Sequence, residues 1–232
     1  MSSVPSNVGP AMQRERRHRL PTVVVMLKAP REGTVKTRLA ADVGPAQATR
    51  IYRLLVERQL AAIPAHWPVE VHFAPADAHE EMRDWLGPRP RLCPQADGDL
   101  GQRLTRAVNA SFAHGAAAVL VIGGDCPELD RDALQSAAGA LGTHEVVLGP
   151  ASDGGYYLIG LTLPQPEIFA DIPWSTSGVL TATLQKTDAV GLIPLCLSVR
   201  DDVDTLADLQ KHAALLFGVE APPTDFCAPL AP

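Results

Sequence analysis

Four cations, Lys28, Arg31, Lys36 and Arg38, fall within eleven residues, with Gly33 and Thr37 between them. Like charges this close repel unless an anion joins them. They follow directly on Thr22-Val-Val-Val-Met-Leu27, a continuous apolar run rich in β-branched residues that predicts a buried strand. In open α/β sheets the ligand crevice lies beyond the carboxyl ends of the strands. Position and composition together make this segment a candidate phosphate site. Lys28, Lys36, Thr37 and Arg38 would be the ligands, and Gly33 would allow a tight turn and close approach. The competing reading is a solvated basic loop. Two better-known phosphate motifs fail here. A P-loop needs Gly before its Lys, where Val35 stands, and no G-x-G-x-x-G follows the strand.

The candidate acids also follow predicted strands. Asp125 lies just beyond the run Ala117-Ala-Val-Leu-Val-Ile122, after Gly123 and Gly124. A carboxylate there suits Mg²⁺ or Mn²⁺, hard cations that share oxygen ligands with substrate phosphates. Otherwise it caps a helix starting near Asp130. Asp153, in Gly149-Pro-Ala-Ser-Asp-Gly-Gly155, sits on a hairpin-type turn that can also deliver a carboxylate as a general base. In Asp201-Asp-Val-Asp-Thr205, Asp202 and Asp204 alternate as on an extended segment. Asp204 is the second candidate metal ligand, unless it or Thr205 caps the last helix. In Gln95-Ala-Asp-Gly-Asp-Leu-Gly-Gln-Arg103, Asp99 is either a cap or part of a site, and Arg103 is a candidate for a phosphate or sugar. Trp174 is either an apolar platform or core. None of the seven histidines follows a strand as a base or metal cluster would, and no G-x-S-x-G is present, so hydrolase chemistry loses support.

The elements that must carry these residues alternate along the chain. Strands are predicted at 22–27, 69–73, 91–93, 117–122, 145–148, 156–159 and 192–196, the last at an edge because it contains Pro194. Helices are predicted at 45–63, 77–86, 100–114, 130–141, 177–186 and 205–217. Such alternation calls for an α/β sandwich on a mostly parallel sheet. The expected organisation is a basic N-terminal tail at 1–20, one domain at 21–218 and a Pro-rich tail at 219–232.

Bulk properties narrow the partners. The 232 residues carry a net charge of −6, which argues against nucleic acid. No apolar run is long enough to span a bilayer, and Met1 to Arg19 lacks the apolar stretch of a signal peptide. The four cysteines form no C-x-x-C pair, so a zinc or dithiol motif is not expected, and a cytoplasmic setting is.

Six blocks in order carry a resemblance: Lys28 to Leu39, Asp97 to Arg103, Ile122 to Leu129, Leu148 to Gly160, Trp174-Ser-Thr176 and Asp202 to Leu209. The chain resembles the radical-SAM/selenodomain-associated transferase family over about residues 22 to 211. That family is GT-A-like, within the nucleotide-diphospho-sugar transferase superfamily. The resemblance implies a three-layer α/β/α Rossmann-like GT-A fold with a mixed, mostly parallel sheet of about seven strands. It implies a glycosyltransferase that uses a nucleotide-sugar and a small-molecule acceptor. The first block is also similar to guanylyltransferases acting on phospholactate or molybdenum cofactor. By that likeness Lys28, Lys36 and Arg38 contact phosphates and Asp125 binds metal, with nucleotidyl transfer and pyrophosphate release as the alternative. No D-x-D occurs at Asp125, because Pro127 takes its third position. Lys36 and Asp153 are the candidate catalytic residues. A non-enzymatic nucleotide-binding module is the remaining reading.

Overall fold

The computed structural model describes residues 20–218. The expected tails at 1–20 and 219–232 therefore lie outside the described residues, except for Leu20. Among the described residues no helix is long and apolar enough to cross a membrane.

Seven strands form one sheet: β1 (Thr22–Lys28), β2 (Val69–Ala74), β3 (Arg91–Pro94), β4 (Val119–Ile122), β5 (Val146–Pro150), β6 (Tyr156–Leu161) and β7 (Leu195–Cys196). Their order is β3-β2-β1-β4-β6-β5-β7. Only β6 runs against its neighbours β4 and β5; the other pairs are parallel. The sheet is thus mixed and mostly parallel, as expected. The helices are α1 (Thr37–Val43), α2 (Pro45–Ala62), α3 (His79–Leu86), α4 (Leu100–Ala113), α5 (Arg131–Ala140), α6 (Val179–Ala189), α7 (Leu206–Lys211) and α8 (Ala213–Phe217).

Strand alternation divides the core into two layers. From β1, Val23, Val25 and Leu27 pack with Tyr52 and Val56 of α2, Met82 of α3 and Leu134 of α5. Val24 points the other way, toward Leu104 and Val108 of α4, with Leu180 and Leu184 of α6 at the margin. Helices therefore cover both faces of a sheet whose central strands are apolar on both sides, which is the three-layer arrangement.

A smaller third cluster does the positioning. Leu39 and Val43 of α1, Ile51 and Leu55 of α2, Val203 and Leu209 pack together, all fully buried. This fastens the end of the basic loop to the C-terminal acidic segment.

Three local expectations change. The basic segment is not a loop throughout, because α1 begins at Thr37. The last helix is two, broken at His212, which has φ −101° and ψ 12°. The edge strand starts only after Pro194, which has no N–H to give the ladder.

The carboxyl end of β1 is held by one phenol. Tyr52 Oη accepts the Lys28 N–H at 3.0 Å and donates to the Lys28 carbonyl at 2.9 Å. Tyr52 is buried. Tyr52→Phe leaves both backbone groups unpaired where water enters poorly, at a cost of about 1–3 kcal/mol. Urea unfolding at neutral pH measures it; an unchanged midpoint would show that the phenol does not hold the strand end.

Candidate functional site

Lys36 is the centre of the site. Its Nζ lies 2.5 Å from Asp125 Oδ1 and 3.0 Å from Asp204 Oδ1. Its side chain is 4% exposed, whereas those of Asp125 and Asp204 are 44% and 40% exposed. Burial opposes the charge on Lys36, but the two carboxylates outweigh it and raise the ammonium above its ordinary range. Lys36 is therefore a fixed cation at neutral pH. Its backbone is left-handed, φ 48° and ψ 46°, immediately before α1. That conformation is unfavourable for a side chain with a Cβ, by about 1–3 kcal/mol, and needs support from its surroundings. The two carboxylates supply part of that support.

The acids reach Lys36 by separate routes. Asp125 follows β4 after two glycines with different tasks. A Cβ at Gly123 would meet open space, whereas one at Gly124 would lie 2.8 Å from Val56 and 2.9 Å from Leu27. Gly124 is thus a packing glycine, and the room beside Asp125 comes from Gly123. Asp125 is not a helix cap; Asp130 fills that place, accepting the Ala133 N–H at 2.8 Å. Asp204 is free of capping because Thr205 and Asp208 form the capping box of α7. The Val203 N–H donates to the Asp125 carbonyl at 3.0 Å, joining the two acidic segments through their backbones.

Two clefts meet here. The first, about 370 Å³, is lined by Lys28, Lys36, Thr37, Arg38 and Arg103 together with Tyr52 and Gln95. The second, about 510 Å³, is lined by Asp153, Asp202, Tyr156 and Trp174. Arg38, Asp125 and Asp204 belong to both. Arg38 also sits 3.4 Å from Asp204 Oδ2 and is 75% exposed.

The remaining candidates fall out as follows. Asp153 is exposed on its turn, where Oδ1 accepts the Gly155 N–H at 2.8 Å. That turn is docked tightly: a Cβ at Gly154 would lie 2.2 Å from the Ser177 carbonyl oxygen. Arg103 Nε donates to the Gly98 carbonyl at 2.8 Å and still lines the first cleft. Asp99 caps α4 in a box with Gln102 and lines neither cleft. Gly33, with φ 76°, also lines neither and shapes the turn. Arg31 is drawn away to Asp77 and Glu81, at 3.2 and 2.9 Å. Trp174 is half-buried, packs on the core layer beneath α4 and α6 edge-on to Tyr156 at 6.3 Å, and also lines the second cleft.

Sequence reasoning did not single out three contributors. Tyr52 fixes Lys28. Gln95 Nε2 donates to the carbonyls of Leu27 and His72, at 3.0 and 2.8 Å, and so trims the cleft floor. Asp202 was legible only as one of two alternating acids. Burial first, and then the charge of Asp125, pushes its carboxyl up to about 7, against the pull of Lys36; Asp153 and Asp204 add to the rise.

A comparison with family models matches residues 58–176 to the family described as "Uncharacterized protein conserved in bacteria (DUF2064)". No curated protein matches. A solved structure from Desulfovibrio desulfuricans G20, provisionally named a nucleotide-diphospho-sugar transferase, is 34% identical; the match covers 82% of this chain and 84% of that one, with a TM-score of 0.77. CMP:2-keto-3-deoxy-manno-octonic acid synthetase complexed with CTP is 13% identical over 84% of this chain and 98% of that one, TM-score 0.53. Rv0371c of Mycobacterium tuberculosis H37Rv, in complex with manganese, is 18% identical over 86% and 100%, TM-score 0.52. The last two share the fold.

The unequal exposure of the ion triad has a measurable consequence. With Lys36→Met, Asp125 and Asp204 rehydrate, but they repel each other and no longer support the left-handed turn, so the cost is about 1–2 kcal/mol. With Asp125→Asn and Asp204→Asn together, the buried ammonium loses its partners, at a cost on the order of 3 kcal/mol. Burial then lowers the Lys36 pKa in the folded state, so the unfolded chain binds more protons. Stability of the double variant should rise as pH climbs toward the ordinary 10.5. Urea titrations across pH read both effects; a Lys36→Met penalty larger than that of the double variant would reverse the assignment.

Proposed function

The chain belongs to the DUF2064 family of bacterial proteins, and from that premise we propose that it is a metal-dependent transferase that binds a nucleotide-sugar and passes the glycosyl group to a small-molecule acceptor. One observation carries this reading: the cationic cleft and the platform cleft share a wall of Arg38, Asp125 and Asp204, with Met26 and Leu100. A group moved between a nucleotide phosphate in one cleft and an acceptor in the other crosses that wall.

Each residue then has a chemical task. Lys28, Lys36, Thr37, Arg38 and Arg103 hold the phosphates, and Lys36 and Arg38 stabilise the charge that grows on the departing diphosphate. Gly33 and Asp99 act one step back, by setting the loop turn and capping α4. Trp174 and Tyr156 offer apolar faces for a sugar or acceptor. Asp153, exposed and lining the second cleft, would accept the acceptor's hydroxyl proton.

The donor set suits a hard divalent cation. Asp125 and Asp204 offer carboxylate oxygens, and Asp202 adds a third carboxyl from the second cleft alone. Asp125 and Asp204 are already paired with Lys36 and Arg38, and the Asp202 carboxyl, raised to about 7, is only partly ionised at neutral pH, so an entering cation would take over the carboxylates from these side chains and draw a proton from Asp202. Mg²⁺ or Mn²⁺ held by Asp125 and Asp204 would supply neutralisation of phosphate charge.

Nucleotidyl transfer from a nucleoside triphosphate is the second reading, favoured by the four cations around the first cleft and by the missing D-x-D at Asp125. The similarity of Lys28 to Leu39 to guanylyltransferases points the same way.

Products separate the two. Incubation with Mn²⁺ and labelled nucleotide-sugars should release a nucleoside diphosphate, and incubation with triphosphates should release no pyrophosphate. Pyrophosphate without diphosphate release would replace glycosyl by nucleotidyl transfer. Thermal-shift titration with both nucleotide classes checks binding independently, and protection by neither would sink the enzyme readings. Asp125→Ala should weaken metal-dependent protection at least tenfold; full retention would remove Asp125 from the site.

A further inference from the structure

A second cluster of metal-ligating side chains lies outside the clefts, on β2 and β3. In the parallel β2–β3 pairing His72 stands beside Cys93 and Glu70 beside Arg91. Paired residues of adjacent strands share a face, as do residues i and i+2 of one strand. Glu70, His72 and Cys93 therefore share one face of the sheet. None of the three lines either cleft.

This face would ordinarily be apolar, since Glu70 and His72 are each only 5% exposed. Glu70 is well provided for: Ser111 donates to Oε2 at 2.5 Å and His114 Nδ1 lies 3.0 Å from Oε1. The Arg91 guanidinium adds an ion pair at 3.8 Å. His72 is not. Its Nε2 is buried without a hydrogen-bond partner, and Glu70 Oε2 is 3.6 Å away. That separation is too long for an N–H···O bond. It matches the edge, about 3.4 Å, of a tetrahedron of nitrogen and oxygen ligands around zinc. Cys93 is a free thiol, and the ligand atoms of Glu70, His72 and Cys93 all lie within 4.8 Å of one another.

We propose that Glu70, His72 and Cys93 form a zinc site that clips the edge strand β3 to β2. One carboxylate, one imidazole and one thiolate make a borderline-soft donor set, which suits Zn²⁺ and not the all-oxygen preference of Mg²⁺. Ser111 and His114 orient the carboxylate, as partners of metal ligands commonly do. Three protein ligands leave a fourth tetrahedral position for water. A surface groove lined by Thr22, Glu70, Arg91, Ser111 and His114 gives an approach. The site joins an inner strand to a four-residue edge strand, beside the ladder bonds, the Arg91–Glu70 ion pair and the Gln95 bond to the His72 carbonyl that already link them.

The test uses the full untagged chain, stripped with a chelator and titrated with Co²⁺ and then with competing Zn²⁺. One equivalent of Co²⁺ should bind with tetrahedral d–d bands and a thiolate-to-cobalt charge-transfer band, neither of which Co²⁺ on the carboxylates of Asp125 and Asp204 would give, and Zn²⁺ should bleach both. Cys93→Ser should remove the charge-transfer band, and His72→Gln should weaken binding at least tenfold. Asp125→Asn should leave the spectrum unchanged, which separates this site from the phosphate clefts. Circular dichroism of each apo variant identifies any that fails to fold, and Cys93→Ala then stands in for Cys93→Ser. No saturable Co²⁺ binding, or equal affinity in wild type and both ligand variants, would reduce the cluster to a hydrogen-bonded network and overturn the proposal.

Discussion

The ammonium of Lys36, held between Asp125 and Asp204, is the contact on which the functional end of the molecule depends. It links residues 168 positions apart. A buried cation is tolerable only when its compensation is close and well placed. The chain must therefore bring three segments to one point: the loop after β1, the loop after β4 and the stretch before α7. A left-handed backbone at Lys36 adds a local cost that only this tertiary arrangement offsets.

Hydrophobic packing makes the convergence possible. Val203, between Asp202 and Asp204, is fully buried against Leu39, Ile51 and Leu209. Alternation along an extended segment then turns both acids away from that cluster and toward the cleft wall. The backbone bond from Val203 to Asp125 fixes the spacing of the two acidic segments. The charged site thus rests on a small apolar cluster separate from the two main core layers. Substitutions at Leu39 or Val203 reach the site without touching a ligand.

Much of this was legible in the sequence because it is local. The apolar run at 22–27, the cations after it and Asp125 after β4 are read from neighbours in the chain and from the rule placing ligands beyond strand ends. For Asp99, and for the choice between Asp204 and Thr205, nearby residues offered a cap only as one of two readings, and the structure selects Asp99 and Thr205 as caps. What was not legible is non-local or conformational. That Arg31 turns away to Asp77 and Glu81 depends on where α3 packs. That Asp204, more than Asp202, pairs with Lys36 depends on tertiary geometry. Glu70, His72 and Cys93 gave no signal because no spacing motif joins them; strand pairing alone brings Cys93 to His72. The break at His212 carries no local mark, since neither Gly nor Pro stands at that position.

The charge arrangement limits what the site can hold. Lys28, Lys36, Arg38 and Arg103 border one cleft, and Asp153 and Asp202 border the other, with Asp125 and Asp204 between. An anion entering the first cleft competes with Asp125 and Asp204 for Lys36. As it draws on that ammonium, the two carboxylates lose part of their compensation, which favours a cation beside them. Conversely, a cation on the carboxylates loosens their hold on Lys36 and frees it for a phosphate. With phosphate on Lys36 and a metal on Asp125 and Asp204, as proposed, anion and cation would favour each other's binding, and by linkage the coupling would be equal in both directions. A ligand carrying phosphate alone, or a metal alone, satisfies only half of this exchange. A nucleotide bound together with its divalent cation satisfies both halves, which is the physical reason for reading the two clefts as one site.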